Sequence, residues 1–197
     1  MTATWPLKYR PETQSFYVRT LTARFTNPYT SQTQVLERDG AMWMSSMTLS
    51  LSSDQALSFE AFLAGLKGPA GEVLVPDYRR LKALGSGLGS PQLVSGSGIV
   101  LTLSGFTPNA VGVLKAGDLI QTSAGRVHMV LDDVAASSNG EAVVKVSPRL
   151  RDPVSVGPLV TNNCMLRMRL LSDDAGKNLT KPPLKASYQI DLIEALS

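Results

Sequence analysis

The sequence predicts a mainly β protein with one helix: a β-sandwich or split-barrel domain built from both ends of the chain, interrupted by a small inserted β-barrel. Three observations predict it. Most segments of strand length alternate apolar and polar residues, the period of a half-buried strand. One segment only, residues 53–67, carries apolar residues at helical spacing. The strands at the two ends have no obvious partner in residues 91–163, so the economical pairing joins 1–90 to 164–197 around an insert.

Residues 1–15 are polar and contain Pro6 and Pro11, each of which biases its predecessor to extended backbone. They read as an arm, disordered alone and ordered against a neighbouring molecule. Residues 16–26 alternate, with Tyr17, Arg19, Leu21, Ala23 and Phe25 on one face and Val18, Thr20, Thr22 and Arg24 on the other. Asn27-Pro28 marks a turn and residues 33–38 a second short strand. Asp39-Gly40 is a hairpin signal, because this pair tolerates the positive φ of a tight turn. In the strand that follows, Met42, Met44, Met47, Leu49 and Leu51 slip by one residue at Ser45-Ser46, which predicts a β-bulge.

The helix over 53–67 presents Leu57, Phe59, Phe62, Leu63 and Leu66 as an apolar stripe, with Ser52 and Gln55 as a capping box and Gly68-Pro69 as its stop. Residues 71–80, "GEVLVPDYRR", make a short strand followed by a basic loop. Residues 85–98 read as a flexible Gly/Ser linker. In the insert, short strands near 99–104, 118–122, 125–132, 142–148 and 158–160, with 111–115 less regular, are spaced as in a small barrel. Residues 163–171 place Cys164, Leu166, Met168 and Leu170 on one face, residues 173–184 form a loop, and a closing strand at 186–195 places Tyr188, Ile190 and Leu192 together.

Composition narrows the function classes. Of 197 residues 43% are apolar and 18% charged, below the roughly 25–35% charge suited to a monomeric surface, so part of the surface is expected to meet partners. A net charge of +3 is too small to argue for nucleic acid by itself. One cysteine, Cys164, and one histidine, His128, cannot form an ordinary zinc site or a disulfide framework. No apolar run reaches the roughly 18 residues of a membrane span, and residues 1–10 lack the apolar core of a secretory signal.

The candidate chemical residues are isolated. His128 lies mid-strand without a nucleophile beside it, and Cys164 has no second histidine to activate it. Asp132-Asp133 and Asp173-Asp174 are adjacent pairs, which on a strand point to opposite faces; together with Asp152 they lack the spacing of a calcium loop. The glycines at 85, 87 and 89 match neither a dinucleotide fingerprint nor a phosphate loop. No catalytic, cofactor-binding or metal-binding residue is therefore assigned. Tyr78-Arg79-Arg80, Arg149, Arg151, Arg167 and Arg169 are basic spots that could pair with phosphates, and an inserted barrel acting as a nucleic-acid-binding module is the alternative from another class.

Two stretches carry a family resemblance. "RFTNPYTSQTQVLERDGAMWMSSMTLSLSSDQALSFEAFLAGLKGPAGEVLVPDYRR" resembles the N-terminal part of tail-tip proteins of long-tailed, non-contractile bacteriophages. "LKAGDLIQTSAGRVHMVLDDVAASSNGEAVVKVSPRLRDPVSVGPLV" resembles a small β domain of the same proteins. The resemblance implies a distal tail protein: a hexameric ring that joins the tail tube to the tail-tip hub and baseplate, with an OB-like insert projecting outward. It also implies contact with tail-tube, hub and tape-measure proteins, passage of the genome through the lumen, and a place in the virion tail after assembly in the host cytoplasm. No catalysis is implied. Another tail-tip or tail-tube structural role remains the neighbouring alternative.

Overall fold

The computed structural model of the chain describes residues 2–123, 125–181 and 185–196. It is mainly β with one helix, as the sequence predicts, and holds two sheets.

The first sheet is assembled from the two ends of the chain. Its strands are β1 (Thr2–Thr4), β2 (Thr13–Thr26), β3 (Thr33–Ser52), β4 (Glu72–Pro76), β11 (Met165–Leu170), β12 (Asn178–Lys181) and β13 (Lys185–Glu194). They lie in the order β1-β4-β11-β13-β3-β2, with β12 also on β13. The second sheet is formed by β5 (Gly89–Ser97), β6 (Val100–Phe106), β7 (Leu119–Ser123), β8 (Arg126–Val130), β9 (Ala142–Ser147) and β10 (Gly157–Pro158), in the order β10-β5-β6-β9-β8-β7. It curls back on itself: the Gln121 N–H donates to the Val160 carbonyl at 2.9 Å, tying β7 to the segment after β10. This one bridge leaves the sheet a curled half-barrel.

The connectivity is simple. β4 and β11 pair antiparallel, with Pro76 opposite Met165, so everything between them is in effect the loop of one hairpin. Within that loop β10 pairs with β5, so the chain enters and leaves the second sheet side by side.

Helix α1 (Ser53–Leu66) covers the first sheet. The Ser52 N–H donates to Gln55 Oε1 at 3.3 Å, one arm of the capping box, and Lys67 ends the helix in the left-handed region at φ 56°. Ala56, Phe59, Leu63 and Leu66 face the sheet. Leu57, expected in the stripe, is exposed on the far side. Phe59 is the hub of an aromatic cluster, with Tyr9 and Tyr188 at 5.1 Å and Trp5 at 5.6 Å between ring centres. Such pairs contribute about 0.5–1.5 kcal/mol each beyond burial.

This cluster corrects the reading of the N-terminus. Residues 2–15 are not a free arm: β1 pairs in parallel with β4, and Trp5 and Tyr9 are fully buried in the chain's own core. The Trp5 indole donates to the Tyr9 carbonyl at 3.0 Å and the Tyr9 hydroxyl to Ser58 Oγ at 2.7 Å. Proline content favoured extended backbone, but two aromatic side chains decided where that backbone went.

Five further expectations change. Residues 85–98 are not a linker, since residues 89–97 form β5 with Leu93 buried. Its glycine at 96 packs tightly: a Cβ there would stand 2.6 Å from Leu101 Cδ2 and 2.7 Å from Leu150 Cδ1, so both side chains would have to shift. Asp39-Gly40 is not a hairpin turn but lies inside the continuous strand β3; the turn is at residues 27–32. Ser45-Ser46 carries no bulge, for Phe16 and Ser15 pair with them in unbroken register. The inward residues there are Trp43, Ser45, Met47, Leu49 and Leu51, so the apparent slip came from reading Met42 and Met44 as core. Residues 111–115 form no strand, although Leu114 makes an isolated bridge to Val134. The expected loop over 173–184 holds a short 3-10 turn and β12, and its residues 182–184 lie outside the described residues.

The core divides in two, with an exchange at the border. One cluster fills the second sheet around Leu101, Leu103, Ile120, Val144 and Val146. The other fills the first sheet beneath α1, yet it includes Leu119 and Val127 from the second.

Candidate functional site

The feature that the monomer's own packing leaves unexplained is the far half of the β2–β3 hairpin. Near the sheet, β2 pairs with β3 from Thr13–Thr48 to Arg19–Met42. The ladder then jumps to Leu21–Arg38, so β2 advances by two residues while β3 advances by four. Thr20 alone spans Asp39, Gly40 and Ala41, and this wide bulge is an elbow. Gly40 lies in it against Leu21, whose exposed side chain would have to shift to admit a Cβ, Cδ2 standing 2.8 Å from that position.

Beyond the elbow six residue pairs, Leu21–Arg38 to Thr26–Thr33, extend for about 17 Å at ~3.4 Å per residue. Asn27 closes the tip, its Oδ1 accepting from the Tyr29 N–H at 2.9 Å. Every residue of this extension except Ala23 is exposed. Cross-strand pairing sorts its side chains: Leu21, Ala23, Phe25 and Leu36 share one face with Gln34 and Arg38. The other face carries Thr22, Arg24, Thr26, Thr33, Val35 and Glu37. Leu21, Phe25 and Leu36 are 43%, 58% and 55% exposed, so a mostly apolar face is open to water.

Its edges are open as well. β2 ends the sheet, and β13 reaches β3 only from Met44 onward, so among the described residues the extension has no strand on either side. The root of β2 is different: Arg79 Nη2 donates to the Phe16 carbonyl at 2.8 Å while pairing with buried Asp77 at 3.3 Å. The basic loop, a spot that could have paired with phosphate, is thus tied into the fold, with Arg80 also on Asp77 at 3.5 Å.

Arg126, Arg149 and Arg151 converge on the seam between the sheets. Arg149 pairs with Asp39 of the elbow, and Arg151 Nη2 donates to the Ala41 carbonyl at 2.5 Å. Arg126 pairs with Asp152 at 3.0 Å and donates to the Ala195 carbonyl at 3.0 Å. Glu194 accepts from the Trp43 N–H at 3.0 Å. Burial pushes the Glu194 carboxyl above its ordinary range, against the pull of the Trp43 N–H and of Arg151 and Arg126. Arg167 and Arg169 lie on β11 against Glu72, Arg169 at 2.8 Å.

The isolated chemical residues stay apart. His128 is buried at the same seam and its Nδ1 lies 2.7 Å from the Pro148 carbonyl, so the neutral ring carries its proton on Nδ1. Burial holds its pKa below the usual value. Cys164 is buried, its Sγ 3.5 Å from the Val160 carbonyl, and burial pushes the thiol up to about 12. A thiol so rarely ionised is a poor nucleophile at neutral pH. The aspartates are dispersed: Asp132 pairs with Lys145 at 3.4 Å, Asp133 accepts from the Ala116 N–H at 2.9 Å, and Asp174 pairs with Lys177 at 2.9 Å. Among the described residues no group of three His, Cys, Asp or Glu side chains could hold a metal ion. No described helix is long and apolar enough to cross a membrane.

Sequence reasoning missed Asp118, which is buried and receives three backbone N–H groups, from Leu84 at 2.6 Å, Gly85 at 2.9 Å and Lys115 at 2.9 Å. It staples the segment leading into β5 to the barrel, and the Gly117-Asp118 pair was the signal for it. No family model matches the chain, and no curated protein matches it.

Proposed function

We propose that this chain is a structural subunit that assembles into a ring at the distal end of a phage tail, joining the tail tube to the tail-tip hub. The observation that carries the reading is the hairpin extension, with both edges and an apolar face uncovered. An isolated two-stranded hairpin is marginal in water, and open edges invite pairing with another chain. The same chain offers both partners needed: the outer edge of β2 in one copy can add to the free edge of residues 33–38 of β3 in the next. That contact is head-to-tail, and head-to-tail contacts close into rings when the rotation permits. The product is an antiparallel barrel with two strands from each copy, through which a genome and a tape-measure protein can pass. Six copies, neighbouring tube and hub proteins, and a place in the virion tail come from the resemblance of the two quoted stretches.

The reading invokes no catalysis. It is favoured over a nucleic-acid-binding insert by two features. Residues 91–163 contain one Phe, Tyr or Trp, Phe106, and it is buried, so the insert has no aromatic platform for bases. Arg149 and Arg151 are already engaged with the elbow, through Asp39 and the Ala41 carbonyl.

The test is the solution mass of the purified full chain, with negative-stain images of the same sample. Rings of about six copies are expected. A chain that stays monomeric at high concentration, and also with its tube and hub neighbours added, would sink the reading.

A further inference from the structure

The elbow that gives the hairpin its freedom is held by the insert. A bulge releases backbone groups from the strand ladder, and buried or half-buried backbone groups need partners. Here the partners come from elsewhere in the chain. The Ala41 carbonyl accepts from Arg151, Asp39 is paired with Arg149, and the Trp43 N–H is taken by Glu194 at the end of β13. The Trp43 indole, in turn, donates to the Val127 carbonyl of β8 at 2.8 Å. Arg126, next to Val127, ties β8 to Asp152 and to the chain at Ala195. Two insert segments, β8 and the 149–151 run, therefore converge on three residues at one bend, Asp39, Ala41 and Trp43.

We propose that the insert is a brace for the hairpin: Arg149 and Arg151 fix the angle at which residues 20–38 leave the first sheet, and so hold the extension in the one orientation in which copies can pair. Arg149 and Arg151 are positioning residues. Both lie at the surface, on either side of buried Leu150, so they can be changed without opening the insert's core. The consequence for assembly rests on the ring reading; the brace itself does not.

Hydrogen exchange, resolved by segment on the full chain, separates the two. In Arg149→Ala/Arg151→Ala, exchange across residues 20–38 is expected to rise about tenfold, the factor set by loss of one charge-assisted hydrogen bond. Exchange in β6, β9, β11 and β13 is expected to stay within about twofold, a localisation that general destabilisation would not produce. Asp39→Arg, which sets like charges together, is expected to loosen the hairpin in the same way, and adding Arg149→Asp to it to restore the wild-type rate. Hairpin exchange within about twofold of wild type in both loosened variants overturns the brace. So does a charge swap that restores nothing, or exchange that rises equally throughout. If wild type forms no ring while these exchange results hold, the ring reading fails and the brace stands.

Discussion

Trp43 and Val127 are 84 residues apart and joined by a 2.8 Å hydrogen bond from the indole Nε1–H to the backbone carbonyl, at the point where the two sheets meet. Trp43 is completely buried and its ring lies 5.1 Å from that of Phe16. The bond makes the seam a specific fit between a side chain of one sheet and the backbone of the other.

Trp43→Phe keeps the aromatic packing but leaves the Val127 carbonyl without its donor. An unsatisfied buried acceptor costs about 1–3 kcal/mol. Urea unfolding followed by fluorescence of the remaining Trp5 should show a loss of that size; an unchanged midpoint would mean that water replaces the indole.

Trp5→Ala should destabilise the isolated chain by about 3–5 kcal/mol, the usual cost of removing a large buried aromatic. The measurement is a thermal melt at low concentration. If residues 2–15 served only to clasp a neighbour, the melt would not move until assembly.

Phe25→Ser with Leu36→Ser should do the opposite. Both side chains are more than half exposed, so monomer stability should change by no more than about 0.5 kcal/mol, while the mass of the assembled species falls. A large loss of monomer stability would show that this face is packed within the chain.

His128 gives a pH dependence with a definite sign. Its pKa in the fold is lowered from 6.5 by burial, so below pH 6.5 the unfolded chain takes up a proton that the native chain resists. Stability contributed by the neutral ring is complete above 6.5 and is lost as pH falls from there toward the lowered value. Glu194, with a raised pKa, works in the other direction, since its native carboxyl protonates before the unfolded one. His128→Asn keeps a donor for the Pro148 carbonyl and removes a titrating group. Its stability should fall less than that of wild type between pH 6.5 and 5, measured by urea titration at each pH.

Cys164 should resist alkylation in the native state. A pKa near 12, against 9.0 for a free thiol, lowers the thiolate population about a thousandfold at neutral pH. Rapid labelling without denaturant would place the thiol at an accessible site; slow labelling that accelerates on unfolding is the expected result.

The strands of the first sheet were legible because one of their faces is wet. Leu166, Met168 and Leu170, and Tyr188, Ile190 and Leu192, alternate with polar residues, and each set is buried as its parity predicts. The helix was legible for the same reason. The hairpin was half legible: alternation found its strands, but Asp39-Gly40 signals a turn and a bulge equally well, and only pairing with distant β2 distinguishes them. β5 was illegible because Gly96 packs against Leu101 and Leu150, and Gly89 against the backbone at Gly105 and Phe106, neighbours that a local reading cannot place. The seam was illegible for a related reason. A basic run such as Arg149-Leu150-Arg151 looks the same whether its partner is a phosphate or an elbow more than a hundred residues earlier.

By connectivity the second sheet is a cassette, since it occupies the loop of the β4–β11 hairpin and its ends leave side by side. By packing it is not, because Leu119 and Val127 belong to the core of the first sheet. A recombination that exchanged this domain at its chain junctions would therefore transplant part of the host's interior with the guest. Grafts should succeed between chains that match at Trp43 and at these two positions, and fail between chains that match only at the joints.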